Sequence, residues 1–155
     1  MSEGRLLSAL RRRNFSRPPV WFMRQAGRYH RHYQRLRARH EFIELCKNPQ
    51  LACEVTLGPI EDFGFDAAIL FSDLLFPLEA LGMGLSYEPG PKLAWHLKAP
   101  ADLERLRTGP ELIRTLDFQA EALRLIRPRL PESCAEGRAR ASAAGGDSDR
   151  LERSL

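Results

Sequence analysis

A helix with marked ends that leads directly into an apolar run is the feature that most constrains the fold. Asn48 followed by Pro49 is typical of a helix start, because asparagine caps the first turn and proline suits the first helical position. Gly64 is typical of the residue just past a helix end. The apolar run over residues 67–71 is typical of a strand covered on both faces. This helix followed by a buried strand predicts an α/β protein with parallel strand pairing.

The other segments continue the alternation of helices and strands. Leu112, Leu116, Ala120, Leu123 and Ile126 recur at helical spacing before Pro128. The predicted elements are a helix over 5–13, a buried strand over 20–23, helices over 31–46 and 49–63, the strand over 67–71, a helical turn with a short strand and a Pro/Gly loop over 77–91, and a helix over 110–127.

The composition changes after Pro131. Residues 132–155 contain almost no large apolar side chains. Such a segment cannot bury enough apolar surface to offset the entropy of ordering. We expect residues 1–131 to form the folded part, and residues 132–155 to be a disordered or loosely helical tail that does not pack against it.

Positive charge is concentrated in the first third of the chain. Residues 1–47 carry 12 Lys/Arg against 3 Asp/Glu, whereas residues 48–132 carry 8 against 13. This asymmetry suggests an anionic partner. The run Arg11, Arg12, Arg13 resembles a transit peptide or a nucleic-acid contact, but we favour a solvated helix face. Because we read the arginine run as a solvated face, a nucleic acid is not an expected partner. No apolar run approaches the roughly 18 residues of a membrane span, so a membrane is not an expected partner either.

The cysteines and histidines give no metal or redox signature. Cys46, Cys53 and Cys134 match no zinc or redox spacing, and we read them as small buried residues in a reducing cytoplasm. His30 and His32 are two apart, but no nearby Asp, Glu or Cys completes a ligand set.

Two arginines flank a glycine directly after the predicted strand over 20–23. Arg24 and Arg28 present rigid, permanently charged forks that match carboxylate geometry. Gly27 between them allows a close approach of the backbone. The arrangement is either a carboxylate clamp or two salt-bridged arginines on a turn, and the spacing alone leaves both open.

Asp73 lies in the apolar sequence ILFSDLLF. An ionised carboxylate is unfavourable in apolar surroundings unless it is paired or hydrogen-bonded. Either a structural partner satisfies Asp73 or the carboxylate is kept for the donors or the cation of a ligand, and the sequence favours neither.

Three stretches together resemble the uroporphyrinogen decarboxylase family. They are PPVWFMRQAGRY, FIELCKNPQLACEVTLGPIEDFGFDAAILFSDLL and ALGMGLSYEPGP, within a resemblance that runs from about residue 5 to 131. The combination of RQAGRY with a later FSD is highly specific. After RQAGRY the family usually has Leu-Pro-Glu-Tyr-Arg, where this chain has His30, Arg31, His32, Tyr33 and Gln34.

The resemblance implies an α/β fold that forms the N-terminal portion of a (β/α)8 TIM barrel, incomplete in this chain since such a barrel takes about 250 residues. It implies a cytoplasmic homodimer that decarboxylates the acetate side chains of a tetrapyrrole, uroporphyrinogen, in haem biosynthesis without metal or organic cofactor. By position, Asp73 and Arg24 would be catalytic. The substrate-binding residues would be Arg24, Gln25, Ala26, Gly27, Arg28, Arg37 and Asp73.

Two other interpretations remain. One is a barrel relative among the cobamide-linked methyltransferases, against which RQAGRY argues. The other is a non-catalytic fragment that binds porphyrin or another anion, since the later tyrosine, serine and histidine contacts of the family have no counterpart in this sequence.

Overall fold

The computed structural model describes residues 4–13, 17–87, 89–131 and 134. Within these ranges the elements are α1 (Arg5–Leu10), α2 (Arg31–Arg37), α3 (Phe42–Lys47), α4 (Pro49–Phe63), α5 (Phe76–Ala80), β1 (Leu85–Tyr87), β2 (Pro91–Leu93), α6 (Glu111–Arg114) and α7 (Asp117–Ile126), with short 3-10 helices at Pro100–Arg105 and Arg127–Arg129. No helix in the described part is both long and apolar enough to cross a membrane.

The ends of α4 confirm the local signals in the sequence. The side-chain oxygen of Asn48 accepts hydrogen bonds from the backbone N–H groups of Gln50 and Leu51, at 3.0 and 3.1 Å. Gly64 follows the helix in the left-handed conformation, with φ at 62°. Because both signals act within one turn, they fix the ends of this helix without help from the rest of the fold.

The helix predicted over 31–46 is two helices, α2 and α3, with extended backbone at Glu41 between them. The break serves the core. In one continuous helix Tyr33 and Leu45 would point about 120° apart, whereas here both lie in one buried cluster with Val55 of α4. Arg37 stabilises the break by donating to the carbonyl oxygen of His40, at 2.5 Å.

The helix predicted over 110–127 is also divided, into α6 and α7. The Thr115 hydroxyl donates to the carbonyl oxygen of Leu112 at 2.6 Å, which competes with the helical pattern at this point. The longer part, α7, packs along α4, and its Ile126 joins Cys53 and Leu57 in a second buried cluster. The core therefore lies on both sides of α4.

The two predicted buried strands are not strands in this structure. Residues 20–23 are exposed, from 37% for Val20 to 76% for Met23, and within the 67–71 run Ile69 is 39% exposed. The β-sheet found among the described residues is the antiparallel pair of β1 and β2. A strand needs neighbours along its backbone, and segments 18–23 and 65–73 meet each other only near Asp66. The expectation of parallel, covered strands is therefore wrong for these residues.

Asp66 holds that meeting point together. Its carboxylate accepts from the Val20 backbone N–H and from Arg5 of α1, both at 2.9 Å, and Arg17 lies 3.8 Å away. Its own N–H donates to the Val20 carbonyl oxygen at 2.9 Å. Although burial alone would raise the pKa of Asp66, the Val20 N–H and the two arginines hold it below its usual value.

Most of the predicted tail lies outside the described residues. Cys134 is the described residue beyond Pro131. It is 4% exposed, and its thiol donates to the Phe65 carbonyl oxygen at 3.0 Å. Packing therefore reaches at least to residue 134, and the behaviour of the residues that follow stays a prediction.

We expect Asp66→Asn to reduce the free energy of unfolding by about 1–3 kcal/mol at pH 7, because it removes charge-assisted hydrogen bonds at a buried position. Because the pKa of Asp66 is lower in the folded state than in the unfolded chain, its contribution to stability is fully present at pH values above the unfolded-state pKa of about 4. It is lost as the pH falls through the folded pKa, since the unfolded chain then binds the proton more readily. Urea denaturation at several pH values measures both effects.

The matched control is Asp117→Asn, which removes the same charge from an exposed position on α7. The Asp117→Asn chain should lose less stability than the Asp66→Asn chain. Its free energy of unfolding should still fall as the pH is lowered, because Asp66 is intact. An Asp66→Asn chain with native stability and a native acid profile would contradict the role of this junction.

Candidate functional site

The RQAGRY sequence forms a tight turn that exposes both arginines. The backbone N–H of Gln25 donates to the Phe22 carbonyl oxygen at 3.0 Å, and that of His30 donates to the Gly27 carbonyl oxygen at 2.9 Å. Arg24 and Arg28 are exposed on this turn. Neither belongs to an ion pair among the described residues, which favours a clamp over a pair of salt-bridged arginines.

The side chain of Gln25 faces the interior of the protein. Its side chain is 2% exposed. It donates to the Ala67 carbonyl oxygen at 3.1 Å and accepts from the Phe22 N–H at 3.3 Å. The family resemblance implies a substrate contact for this residue. In the structure its side chain connects the turn to segment 65–73 through the hydrogen bond to Ala67.

Ala26 and Gly27 form the tip of the turn. Ala26 is half-buried and packs against the cluster that contains Tyr33. A Cβ atom added to Gly27 would lie 3.3 Å from the Arg24 carbonyl oxygen and 3.7 Å from the Tyr29 ring. The first of these distances is shorter than most Cβ contacts. Glycine at this position therefore allows the turn to close with both arginines outward.

His30 fastens the other end of the turn. Its Nε2 lies 2.6 Å from the Asp62 carboxylate of α4, and the residue is 4% exposed. Its buried Nδ1 has no hydrogen-bond partner among the described residues. At this position, where the family pattern has leucine, the chain uses a polar contact to tie the turn to α4.

Arg28 and Arg37 both lie close enough to Tyr33 for their charges to influence its hydroxyl. Burial raises the pKa of Tyr33, and the charges of Arg37 and Arg28 partly offset that rise. The backbone of Arg28 is held by Gln34, whose side chain donates to the Arg28 carbonyl oxygen at 2.6 Å. Arg37 also lies 3.9 Å from Glu41, an exposed carboxylate, so its guanidinium is shared between Glu41 and the His40 carbonyl oxygen.

Asp73 belongs to the same neighbourhood. The pKa of the Cys46 thiol is raised to about 12, mainly by burial and also by the Asp73 carboxylate, while the charge of Arg37 partly offsets the rise. One Asp73 oxygen accepts from the Leu75 N–H at 2.8 Å. The residue is half-buried and its neighbour Leu74 is 93% exposed, so Asp73 is less enclosed than its apolar sequence predicts.

Tyr87 of β1 is a member of the site that sequence reasoning missed. Its hydroxyl is buried beside the Asp73 carboxylate, close enough to interact with it but outside good hydrogen-bond geometry. Burial raises the pKa of Tyr87, and the neighbouring Asp73 carboxylate raises it further. The tyrosine in the sequence LSYEPG carries no sign of this contact, because the contact depends on where the β1–β2 hairpin packs.

Arg24 lies in different surroundings. It borders a cavity of about 400 Å³ whose other walls are aromatic, namely Phe22, Tyr29, Phe63 and Phe65. The structure therefore brings Arg28, Arg37 and Asp73 together and places Arg24 beside this cavity. Several guanidinium groups near one carboxylate are chemically suited to an anion that carries more than one carboxylate.

Comparison with known proteins gives the family. Residues 1–136 match the family described as "Uroporphyrinogen decarboxylase (URO-D)", and the chain belongs to that family. Curated relatives named uroporphyrinogen decarboxylase include one from Syntrophotalea carbinolica, 50% identical over 119 residues, or 76% of this chain. Another from Protochlamydia amoebophila is 48% identical over 128 residues, or 81% of the chain.

A third relative, from Roseiflexus sp., is 44% identical over 141 residues, or 90% of this chain. The matched parts are 34%, 35% and 39% of these three relatives' own lengths. The chain thus spans little more than a third of the proteins it matches.

We expect Gln25→Leu to lower the free energy of unfolding by about 1–3 kcal/mol, because the Ala67 carbonyl and the Phe22 N–H would each lose a buried partner. Gln50→Leu, at an exposed position in the first turn of α4, should cost less. Chemical denaturation of both variants measures the difference. Equal stability losses would mean that Gln25 does not fasten the turn.

Proposed function

We propose that this chain supplies the amino-terminal part of a uroporphyrinogen decarboxylase. This carboxy-lyase converts the acetate side chains of uroporphyrinogen III to methyl groups, which gives coproporphyrinogen III in haem biosynthesis. The observation that carries the proposal is the convergence of Arg28, Arg37 and Asp73 around Tyr33 and Cys46 in a chain of this family.

The arginines suit a substrate with many carboxylates. Guanidinium groups pair with carboxylates through two parallel hydrogen bonds, which fixes orientation as well as charge. Arg28 and Arg37 would hold the substrate beside Asp73, and Arg24 would hold another carboxylate on the far side of the turn. Gln25, Ala26 and Gly27 would hold the turn in shape and present its backbone.

Asp73 would stabilise the charge that develops during the reaction. A proton added to a pyrrole carbon makes the ring a cation. The bond between the acetate methylene and its carboxylate then breaks, carbon dioxide leaves, and the electron pair passes into that ring. A second proton on the methylene carbon gives the methyl group, and the ring proton is released, so each acetate consumes one proton overall.

The carboxylate of Asp73 would accept hydrogen bonds from the ring N–H groups and would favour the cationic ring over the neutral one. The Leu75 N–H that binds one of its oxygens fixes its orientation. A pre-oriented charge is effective because it needs no reorganisation when the cation forms.

The finer expectations belong to the same proposal. The chain would form the first part of a (β/α)8 barrel, act in a cytoplasmic homodimer and need neither metal nor organic cofactor. In a barrel, the exposed apolar residues of segments 18–23 and 65–73 would gain strand neighbours.

A second candidate function is the binding of a porphyrin or another anion without turnover. It is favoured by one observation: Arg24 and Arg28 are exposed and belong to no ion pair among the described residues, so an anion could bind them without any further catalytic group. Carbon dioxide release separates the two candidates, since a binding protein would retain the substrate unchanged.

We expect a chimera to test catalysis directly. Residues 1–131 of this chain would be joined to the unmatched remainder of the Syntrophotalea carbinolica relative. In that chimera Asp73→Asn should reduce kcat by about 10²-fold or more, with a much smaller change in KM, because the ring cation exists only along the reaction path. Anaerobic assay of carbon dioxide from uroporphyrinogen measures both constants.

The melting temperature of the same variant decides between a catalytic and a structural Asp73. Near-normal kcat with a lowered melting temperature would end the catalytic interpretation. Asp117→Asn, an exposed position on α7, is the matched control and should change neither constant.

We also expect the double change Arg24→Gln and Arg28→Gln to weaken binding of uroporphyrin to the 155-residue chain by about 10-fold or more, since each arginine contributes a charge-assisted hydrogen bond. Arg105→Gln with Arg107→Gln alters the net charge equally at other exposed positions. Fluorescence titration compares the two. Equal weakening would show that net charge, not a clamp, controls binding.

A further inference from the structure

An arginine stripe runs along the outer face of α2. It consists of Arg31 and Arg35, four residues apart in the helix, and Arg39, four residues further in the turn that follows. The backbone N–H of Arg39 donates to the Leu36 carbonyl oxygen at 3.0 Å, so the chain keeps a helical curve up to this residue. All three arginines are exposed. Because residues four apart lie on one side of a helix, their guanidinium groups share one face.

The arginines of the stripe have no partner in the part of the chain that the structure describes. None of their side chains forms a hydrogen bond or an ion pair there. Arg37 of the same helix differs, since the Glu41 carboxylate lies 3.9 Å from its guanidinium. From residue 4 to residue 40 the sequence contains no Asp or Glu. The stripe is therefore positive charge that the described fold leaves without compensation.

The stripe is unfavourable for α2 itself. Like charges four residues apart repel each other in a helix, and Arg31 places a positive charge at the helix start, where negative charge is preferred. Neither an acidic residue in the first turn nor a side-chain cap at His30 offsets this. At the position of Arg31 the family pattern has proline, which suits the first position of a helix. A local rule that is broken without structural benefit points to a function outside the fold.

We propose that the arginine stripe binds an acidic helix of a partner protein. Side chains four apart on a facing helix repeat at about 6 Å, the same interval as the arginines of the stripe. Glutamates at that interval would each meet one guanidinium, which pairs with a carboxylate through two hydrogen bonds. A single-stranded nucleic acid fits less well, because such sites stack bases on aromatic rings. Between residues 31 and 39 the Phe, Tyr or Trp present is Tyr33, which is buried.

The stripe goes beyond the proposed decarboxylase function, because it includes none of the arginines assigned to substrate and does not involve Asp73. Tyr33 and Leu36 direct the opposite face of α2 toward a buried cluster, which leaves the stripe outward. The stripe also belongs to neither segment 18–23 nor segment 65–73, the two that would gain strand neighbours in a completed barrel. Its exposure therefore does not depend on those segments being uncovered.

Two helix-forming peptides test the proposal on the 155-residue chain. Both consist of alanine, glutamine and glutamate in the same proportions. One has glutamate at every fourth position, whereas in the other the glutamates are distributed around the helix. Fluorescence anisotropy at low ionic strength should show the first peptide binding about tenfold more tightly, because three exposed ion pairs together are worth about that factor. The preference should fall as salt is added, since salt screens exposed pairs.

A triple variant separates binding by the stripe from a structural role. It combines Arg31→Gln, Arg35→Gln and Arg39→Gln. The preference between the two peptides should disappear, and the melting temperature should rise by about 1–3 °C, because the repulsion along α2 is relieved. The matched control changes the net charge equally at other exposed positions, with Arg107→Gln, Arg114→Gln and Arg124→Gln. It should keep the preference between the peptides.

Several results would overturn the proposal: equal affinity for the two peptides, an equal loss of preference in the control variant, a lowered melting temperature in the stripe variant, or tighter binding of a single-stranded oligonucleotide with the same number of charges. Peptide binding should also persist in the chimera with the Syntrophotalea carbinolica relative, because its loss there would show that the rest of the protein covers the stripe. The two proposals fail separately. A chimera that binds the peptide but releases no carbon dioxide rejects only the decarboxylase function, whereas the reverse result rejects only the stripe.

Discussion

The structure depends on how segment 65–73 satisfies its backbone without a β-sheet. Side chains supply hydrogen bonds that strand neighbours would otherwise make. Gln25 donates to the Ala67 carbonyl oxygen, and the buried Thr56 hydroxyl of α4 accepts from the Phe71 N–H at 2.9 Å. Cys134 donates to the Phe65 carbonyl oxygen. Because buried backbone groups are costly to leave unpaired, these contacts determine which parts of the chain must lie together.

The same contacts place the site. The Gln25 bond that satisfies Ala67 also sets the position of the turn that exposes Arg24 and Arg28. At the far end of the segment, Gln119 of α7 donates to the Ser72 hydroxyl at 2.7 Å, directly before Asp73. Side-chain hydrogen bonds from Gln25 and Gln119 thus fix both the arginine turn and Asp73 to the same segment.

Local signals made some of this predictable. The ends of α4 were predicted correctly, because Asn48, Pro49 and Gly64 each act within a single turn. The arginine turn was recognisable for the same reason. The break between α2 and α3 was not, because it is set by the shared burial of Tyr33 and Leu45, a tertiary requirement that helical spacing does not contain.

The strand predictions failed for a related physical reason. An apolar run such as 67–71 indicates burial, but pairing depends on distant segments, and the described residues offer it only the neighbour near Asp66. Tyr87 was missed likewise, because only the packing of the β1–β2 hairpin brings its hydroxyl near Asp73.

The distribution of charge distinguishes the arginine turn from the junction at Asp66. Asp66 neutralises part of the basic first third through Arg5 and Arg17, at the base of segment 65–73. Arg24 and Arg28 stand beyond that junction without an acidic partner in the described residues. The two arginines of this turn therefore contribute positive charge that no carboxylate among the described residues neutralises. The same turn is fixed to segment 65–73 by Gln25, so this charge has a defined position relative to Asp73 at the end of that segment.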